Sequence, residues 1–232
     1  MSIAVIIPVF NEQAALSSML EAVLILGFEE IVLVDGESQD RSVEVAKAVL
    51  EGTPLESHWI LSAPRGRASQ MNAGAAQATA DILLFLHADT QLPENTRTLI
   101  KTAMADSHCV GGRFDVRFPI DRGYAWLVSR FMNLRSRLSG ISTGDQAIFV
   151  RRSVFKSMGG FSEIPLMEDI EFSRRLKKLG TIVALRERVI ASFRRWEQQG
   201  PLRTIVRMWA LRFLFWAGWD PRHLQDYYDP VR

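Results

Sequence analysis

A single cysteine, Cys109, stands in a chain of 232 residues, so no disulfide can close within it. That scarcity fits a reducing compartment. Long apolar runs are missing too: no stretch of 18 apolar residues occurs, and the sequence offers no membrane span. A signal peptide is not expected. "MSIAVIIPVFNE" has neither a basic start nor a small-residue cleavage site, and it reaches Pro8 and Asn11 early, so it reads as a first strand. His58, His108 and His223 share no ligand spacing and Cys109 has no partner, which argues against a zinc centre. Charge of one sign is also lacking overall. With 28 basic residues against 26 acidic ones, no nucleic-acid partner is implied in bulk. Repeats, low-complexity segments and linkers are absent, and one compact unit is the simplest organisation.

What is present is alternation. "IAVIIPVF" (3–10), "EIVLVDG" (30–36), "SHWILSA" (57–63) and "DILLFLHAD" (81–89) are apolar runs that predict strands. Between them lie helical patterns at 14–26, 42–51 and 68–80; the first two stop at Gly27 and Gly52, Ser38 or Asp40 is placed to cap the second, and Pro93 is placed to open a further helix. Strands without polar alternation suit a sheet buried on both faces. The pattern predicts an α/β fold with a mostly parallel central sheet and helices on both faces. Ligands of such sheets lie beyond the carboxyl ends of the strands, where right-handed crossovers would gather Asp35, Arg65 and Asp89.

The second half is less regular. "CVGGRFDVRF" predicts a strand in which Gly111 and Gly112 allow a bulge or a close backbone approach. "YAWLVSRFMNLRSRL" puts Tyr124, Leu127, Val128, Phe131, Leu134 and Leu138 on one helical stripe. "GDQAIFVRR" reads as a strand, and "MEDIEFSRRLKKLG" as a helix that starts acidic, ends basic and stops at glycine. Arginines crowd the C-terminal half, among them Arg203, Arg207 and Arg212, where they could meet phosphate or an anionic membrane surface.

Several side chains could carry chemistry, each with a plainer alternative. Asp89 could hold a divalent cation, and through it a diphosphate, or simply close a turn. Asp35 follows its strand in the same way. An acidic residue there also suits dinucleotide binding, but the first turn, "PVFNEQAAL", contains no glycine to admit a pyrophosphate. Arg65 and Arg67 precede a helix N-terminus, a favourable place for phosphate, or form a solvated basic loop. Gln70 and Asn72 could be surface amides. Glu168 and Asp169 either complement a helix dipole or include a general base. Arg194 and Arg195 beside Trp196 could grip phosphate against an aromatic wall, or belong to a surface helix. His87 reads first as structural.

Taken together, "IIPVFNE", "VDGESQD", "RGRASQMNAGAAQA", "LFLHADT", "PLMEDIEFSRRL" and "RRW" resemble the family 2 glycosyltransferases from Ile3 to about Gly200. "GDQAIFVRR", "GGF" and "SFRRWEQQG" look more narrowly like a compact bacterial subgroup, of uncertain substrate, often associated with radical-SAM genes. The resemblance implies a glycosyltransferase A-type fold over residues 1–200. A helical extension over 201–232 would pack on the domain, on a dimer partner or on a membrane surface. It implies inverting transfer from a nucleotide-diphosphate sugar to an acceptor hydroxyl, which could be lipid-linked. Pro8, Asn11, Glu12, Asp35, Gly36, Arg65, Gln70 and Asn72 would meet the nucleotide, and Asp89 with His87 would hold Mn2+ or Mg2+. Asp169, with Glu168, would act on the acceptor, and Asp145, Gln146, Arg195 and Trp196 would lie by acceptor or phosphate. The expected location is the cytoplasm, free or peripheral on the inner face of the membrane. Two departures stand out: His87 replaces the first carboxylate of the family's Asp-x-Asp, and Ser192 stands where glutamine is common. A catalytically silent nucleotide-sugar binding module and a nucleotidyltransferase are the alternatives.

Overall fold

The computed structural model describes residues 1–53, 55 and 57–228, without the side chains of Arg195, Pro201 and Leu202. Its centre is a seven-stranded sheet in the order β3-β2-β1-β4-β6-β5-β7. The strands are β1 (Ile3–Val9), β2 (Glu30–Asp35), β3 (His58–Ser62), β4 (Ile82–Phe85), β5 (Cys109–Arg117), β6 (Phe149–Arg151) and β7 (Thr181–Ile190). Only β6 runs antiparallel to its neighbours. The helices in the first half are α1 (Gln13–Ile25), α2 (Ser42–Glu51), α3 (Arg67–Gln77) and α4 (Thr96–Ala103). Those in the second half are α5 (Gly123–Ser139), α6 (Arg152–Ser157), α7 (Glu168–Leu176), α8 (Arg194–Gln199), α9 (Pro201–Trp216) and α10 (Pro221–Gln225).

The uninterrupted apolar strands are explained by burial on both sides. Every residue of β1, β2 and β4 is buried. Ile3, Val5 and Ile7 of β1 pack with Leu16 and Leu20 of α1, while Ala4 and Ile6 pack with Met71 and Ala75 of α3. Helix α3 comes so close that a Cβ on Gly74 would lie 2.5 Å from Ile6 Cγ2. Gly111 and Gly112 serve the close approach expected of them: a Cβ on Gly111 would lie 2.5 Å from the Phe149 carbonyl, and the β5–β7 register shifts beside it. Strand order reverses between β1 and β4, because the chain fills β2 and β3 on one side before returning. That reversal opens a crevice at the carboxyl edge.

Several elements differ from expectation. β4 stops at Phe85, leaving Leu86–Asp89 irregular, because its pairing ends where Phe85 N–H reaches Ile148 O and Leu86 N–H reaches Ile6 O. Pro93 does not open a helix; α4 starts at Thr96, whose N–H bonds the Pro93 carbonyl at 3.1 Å. Gly144–Gln146 is a 3-10 turn rather than strand, tied by a reciprocal cap between Thr143 and Gln146. β7 was not foreseen. It is an edge strand, half exposed, and its charged residues blur the alternation. The α5 stripe is real but does not face the core. Val128 is buried, whereas Tyr124, Leu127, Phe131, Leu134 and Leu138 are exposed; the inward face carries Ala125, Ser129, Asn133 and Ser136. At the C-terminus, Leu211 of α9 and Leu224 of α10 pack on Leu166 and Met167, just ahead of α7.

Candidate active site

The first wall of the crevice is built from the ends of β1 and β2. Pro8 lies on the same side of β1 as Ile6, beyond the last hydrogen bond to the β4 side, so its missing N–H costs no ladder bond. Gln70, 3% exposed, donates its amide to the Val9 and Val34 carbonyls, each at 2.8 Å, and packs under Gly36, where a Cβ would meet it at 2.8 Å. Gln70 therefore ties α3 to the sheet. Asn72 exchanges two hydrogen bonds with the Phe161 backbone, both 2.9 Å. Those bonds fix the loop beyond α6. Asp35, the last residue of β2, accepts from Ser38 N at 3.1 Å in a tight turn and is 7% exposed. Asn11 is left-handed and joins that turn, its N–H to Ser38 Oγ and its Oδ1 to Gln39 N, both 2.9 Å. Arg65 stacks over the Phe10 ring at 4.2 Å.

The opposite wall is the start of α7. Asp169 Oδ2 accepts from Gly144 N at 2.9 Å, and Oδ1 from Ile170 N at 2.7 Å, so the carboxylate is held by backbone at both oxygens. Gly144 is pressed against His87: an added Cβ would lie 2.4 Å from Nε2. His87 Nδ1 is 3.4 Å from Asp145 Oδ1, and Asp145 is exposed. Gln146 is fully buried, its Oε1 accepting from Ser136 Oγ and Thr143 N, which makes it a brace for this loop. Glu168 is buried and 3.9 Å from Arg67, the first residue of α3, so α3 spans the two walls. Burial opposes the charge on Arg67, yet Tyr228, Glu168, Asp145 and Asp169 raise its pKa above the ordinary arginine value.

Burial, and then the adjacent Asp169 carboxylate, push Glu168 up to about 7 against the pull of Arg67. The folded chain thus keeps a proton that the unfolded chain, with a carboxyl near 4.5, has lost. Stability from this group is present below the unfolded value and falls as pH rises towards about 7. Glu168→Gln is expected to flatten the loss of melting temperature between about pH 5 and pH 8. Parallel pH profiles for both proteins would remove Glu168 as its source.

Between the walls lie Asp89 and α8. Arg194 Nη2 reaches Glu12 Oε2 at 3.1 Å and Asp89 Oδ2 at 3.6 Å. Trp196 stacks on Phe193, ring planes 11° apart, and packs beside Phe118, so it anchors α8 to the core. The side chain of Arg195 lies outside the described residues. No three His, Cys, Asp or Glu side chains cluster for a metal among the described residues. The donor set nevertheless fits magnesium or manganese in one limited way: Asp89 is a partly exposed carboxylate, and such ions accept one carboxylate with phosphate and water oxygens.

All four non-glycine residues with positive φ among those described border this crevice: Asn11, Glu37, Ala147 and Met167. Backbone held in such conformations collects where surrounding structure must aim side chains. Asp35, Arg65, Asp89, His87, Asp145, Glu168 and Asp169 are brought around one hollow edge, while Gln70, Asn72, Gln146 and Trp196 are its scaffold. Sequence reasoning missed Gly144 and the Arg67–Glu168 pairing. A glycine two residues before a buried glutamine was the available signal for the first; nothing local signalled the second.

Residues 4–159 match the model of glycosyl transferase family 2. The chain belongs to that family and is a glycosyltransferase. Among curated relatives, the undecaprenyl-phosphate 4-deoxy-4-formamido-L-arabinose transferase of Pseudomonas paraeruginosa is 35% identical over 170 residues, covering 67% of this chain and 49% of its own. The probable glycosyltransferase YdaM of Bacillus subtilis is 26% identical, covering 85% and 50%. The chain therefore spans about half the length of these relatives. Among solved structures, a mannosyltransferase from Pyrobaculum calidifontis in complex with GDP-Man and Mn2+ superposes with a TM-score of 0.71 at 18% identity, covering 90% of this chain and 60% of that one. Glucosyl-3-phosphoglycerate synthase from Mycobacterium tuberculosis, with Mn2+ and UDP, gives 0.62 at 16%, covering 89% and 77%. At those identities the likeness concerns the fold, which is the glycosyltransferase A type.

Proposed function

We propose that the chain transfers a sugar, with inversion, from a nucleotide-diphosphate sugar to an acceptor hydroxyl, with Asp169 as general base. The observation that carries this reading is the backbone clamp on Asp169. Gly144 holds its carboxylate on the loop that packs His87, two residues from Asp89. A base and a phosphate-facing carboxylate on neighbouring loops suit attack at one face of an anomeric carbon and departure from the other. Asp35 would accept a hydrogen bond from base or ribose, and Arg65 would approach the diphosphate. Asp89 would hold Mn2+ or Mg2+, which when bound offsets charge on the leaving diphosphate. Arg194 would release Asp89 as phosphate oxygens arrive. The names of the undecaprenyl-phosphate relatives support a lipid-linked acceptor, met at the inner membrane face. No helix among the described residues is long and apolar enough to cross a membrane. The extension over 201–232 would then serve as a surface helix of the domain.

A thermal-shift series with nucleoside diphosphates and nucleotide sugars, with and without Mn2+, tests the donor half. One nucleotide should raise the melting temperature, and more so with the cation. No shift with any nucleotide would refute the reading. The single carboxylate and its Arg194 contact favour one rival, a silent donor-binding module. That module would bind donor without transfer or slow hydrolysis.

A further inference from the structure

Three buried guanidinium groups are left over by this mechanism. Nη2 of Arg113 on β5, Nε and Nη2 of Arg135 on α5, and Nε of Arg212 on α9 are closed off from solvent without a hydrogen-bond partner among the described residues. Arg113 is 2% exposed, and its Nη1 is already committed to Asp115 Oδ1 at 3.0 Å and the Phe114 carbonyl. The three form a chain. Burial, then repulsion from Arg212, with Arg113 adding to it, hold Arg135 down at about 10. Arg135 and Arg212 also both feel Asp169 and Asp145, so the chain of cations runs up to the proposed base. Arg67 differs, being matched by Glu168. Desolvated cations that repel one another, with N–H groups unspent, call for an anion with several acceptor oxygens.

The surroundings narrow its chemistry. Phe131 and Leu138 share a helix face with Arg135, and Trp209 and Trp216 share one with Arg212; all four are exposed. Neither stripe packs on the core, and the Arg135–Arg212 proximity brings them side by side. We propose that Arg113, Arg135 and Arg212 form an acceptor subsite for the phosphate of an amphiphilic lipid, whose chain lies along the exposed faces of α5 and α9. This deepens the transferase reading above and rests on it for the word acceptor. A soluble phosphate would need the arginines but not the tryptophans. A lipid phosphate needs both, with aromatic side chains at the water–lipid boundary.

Flotation of the full chain with phosphatidylcholine vesicles, plain or carrying a long-chain prenyl phosphate, tests the proposal. Prenyl phosphate should tighten binding on the order of tenfold or more, and Arg135→Gln or Arg212→Gln should each remove about that factor while leaving nucleotide-sugar calorimetry unchanged. Trp209→Ser with Trp216→Ser should weaken vesicle binding while the arginines stay in place. Should a glutamine variant melt early, Arg135→Lys keeps the charge and should bind in between. Equal binding to vesicles of phosphatidylglycerol would reduce the site to a general anionic surface and overturn the proposal. Loss of nucleotide-sugar binding in the arginine variants would assign them to the donor diphosphate and overturn it too. Wild-type chain that ignores every nucleotide sugar yet floats with prenyl phosphate would sink the transferase reading and leave the lipid-phosphate site standing.

Discussion

Asp169→Asn is expected to lower turnover, followed as release of nucleoside diphosphate, by ~10²–10⁴-fold, with donor affinity unchanged. The amide has nearly the same shape. It can still accept from Gly144 N or Ile170 N through its oxygen, so the 3-10 turn and α7 should keep their places. What disappears is the basic oxygen. The measurement pairs steady-state rates with calorimetry of the donor; near-normal turnover would remove Asp169 from the base role. The effect should appear in kcat more than KM, because a proton acceptor matters in the transition state and little in the ground state.

Gly144→Ala should cost nearly as much without touching any ionisable group. The backbone of Gly144 is outside the left-handed region, so the obstacle is space alone. A methyl there would meet His87 Nε2 at 2.4 Å and Cε1 at 2.5 Å. His87 is largely buried and its other nitrogen faces Asp145, so the ring cannot simply step aside. The loop moves instead, and with it the N–H that clamps Asp169. Misplacement by about 1 Å can cost 10²-fold in rate, and that is the loss expected, with a smaller change in melting temperature. Full activity in Gly144→Ala would show that the clamp does not set the position of the base.

The parts of the molecule legible in the sequence were those dictated by local pattern. β1, β2 and β4 announced themselves because strands buried on both faces must be apolar throughout. α7 was legible from its acidic start and basic end, and Asp35 and Asp169 from their places at the edges of such elements. Packing decided the rest. Nothing around Gly144 reveals that His87 will press on it from a loop far away in sequence. Arg194, rather than a metal, faces Asp89 because α8 is brought back by the stacking of Trp196 on Phe193 and Phe118, a tertiary event. β7 was obscured because an edge strand tolerates charge. The stripe on α5 misled in the opposite direction, since apolar spacing shows that a face exists but not what covers it.

The pairing of Cys109 with Thr181 has a bearing on how the molecule comes into being. β1, β2 and β3 are sequential neighbours, and β4 joins them before any later segment is needed. Everything that carries the acid turn, from α5 through Gly144 to α7, is slung between β5 and β7 and stays untethered until the last strand docks. Distant pairings close late, since the entropy of the intervening loop must be met before contacts repay it. A ribosome-bound chain that has not yet delivered β7 therefore holds the nucleotide edge without the opposing carboxylate in register, and the order of assembly guards against premature discharge of an activated sugar.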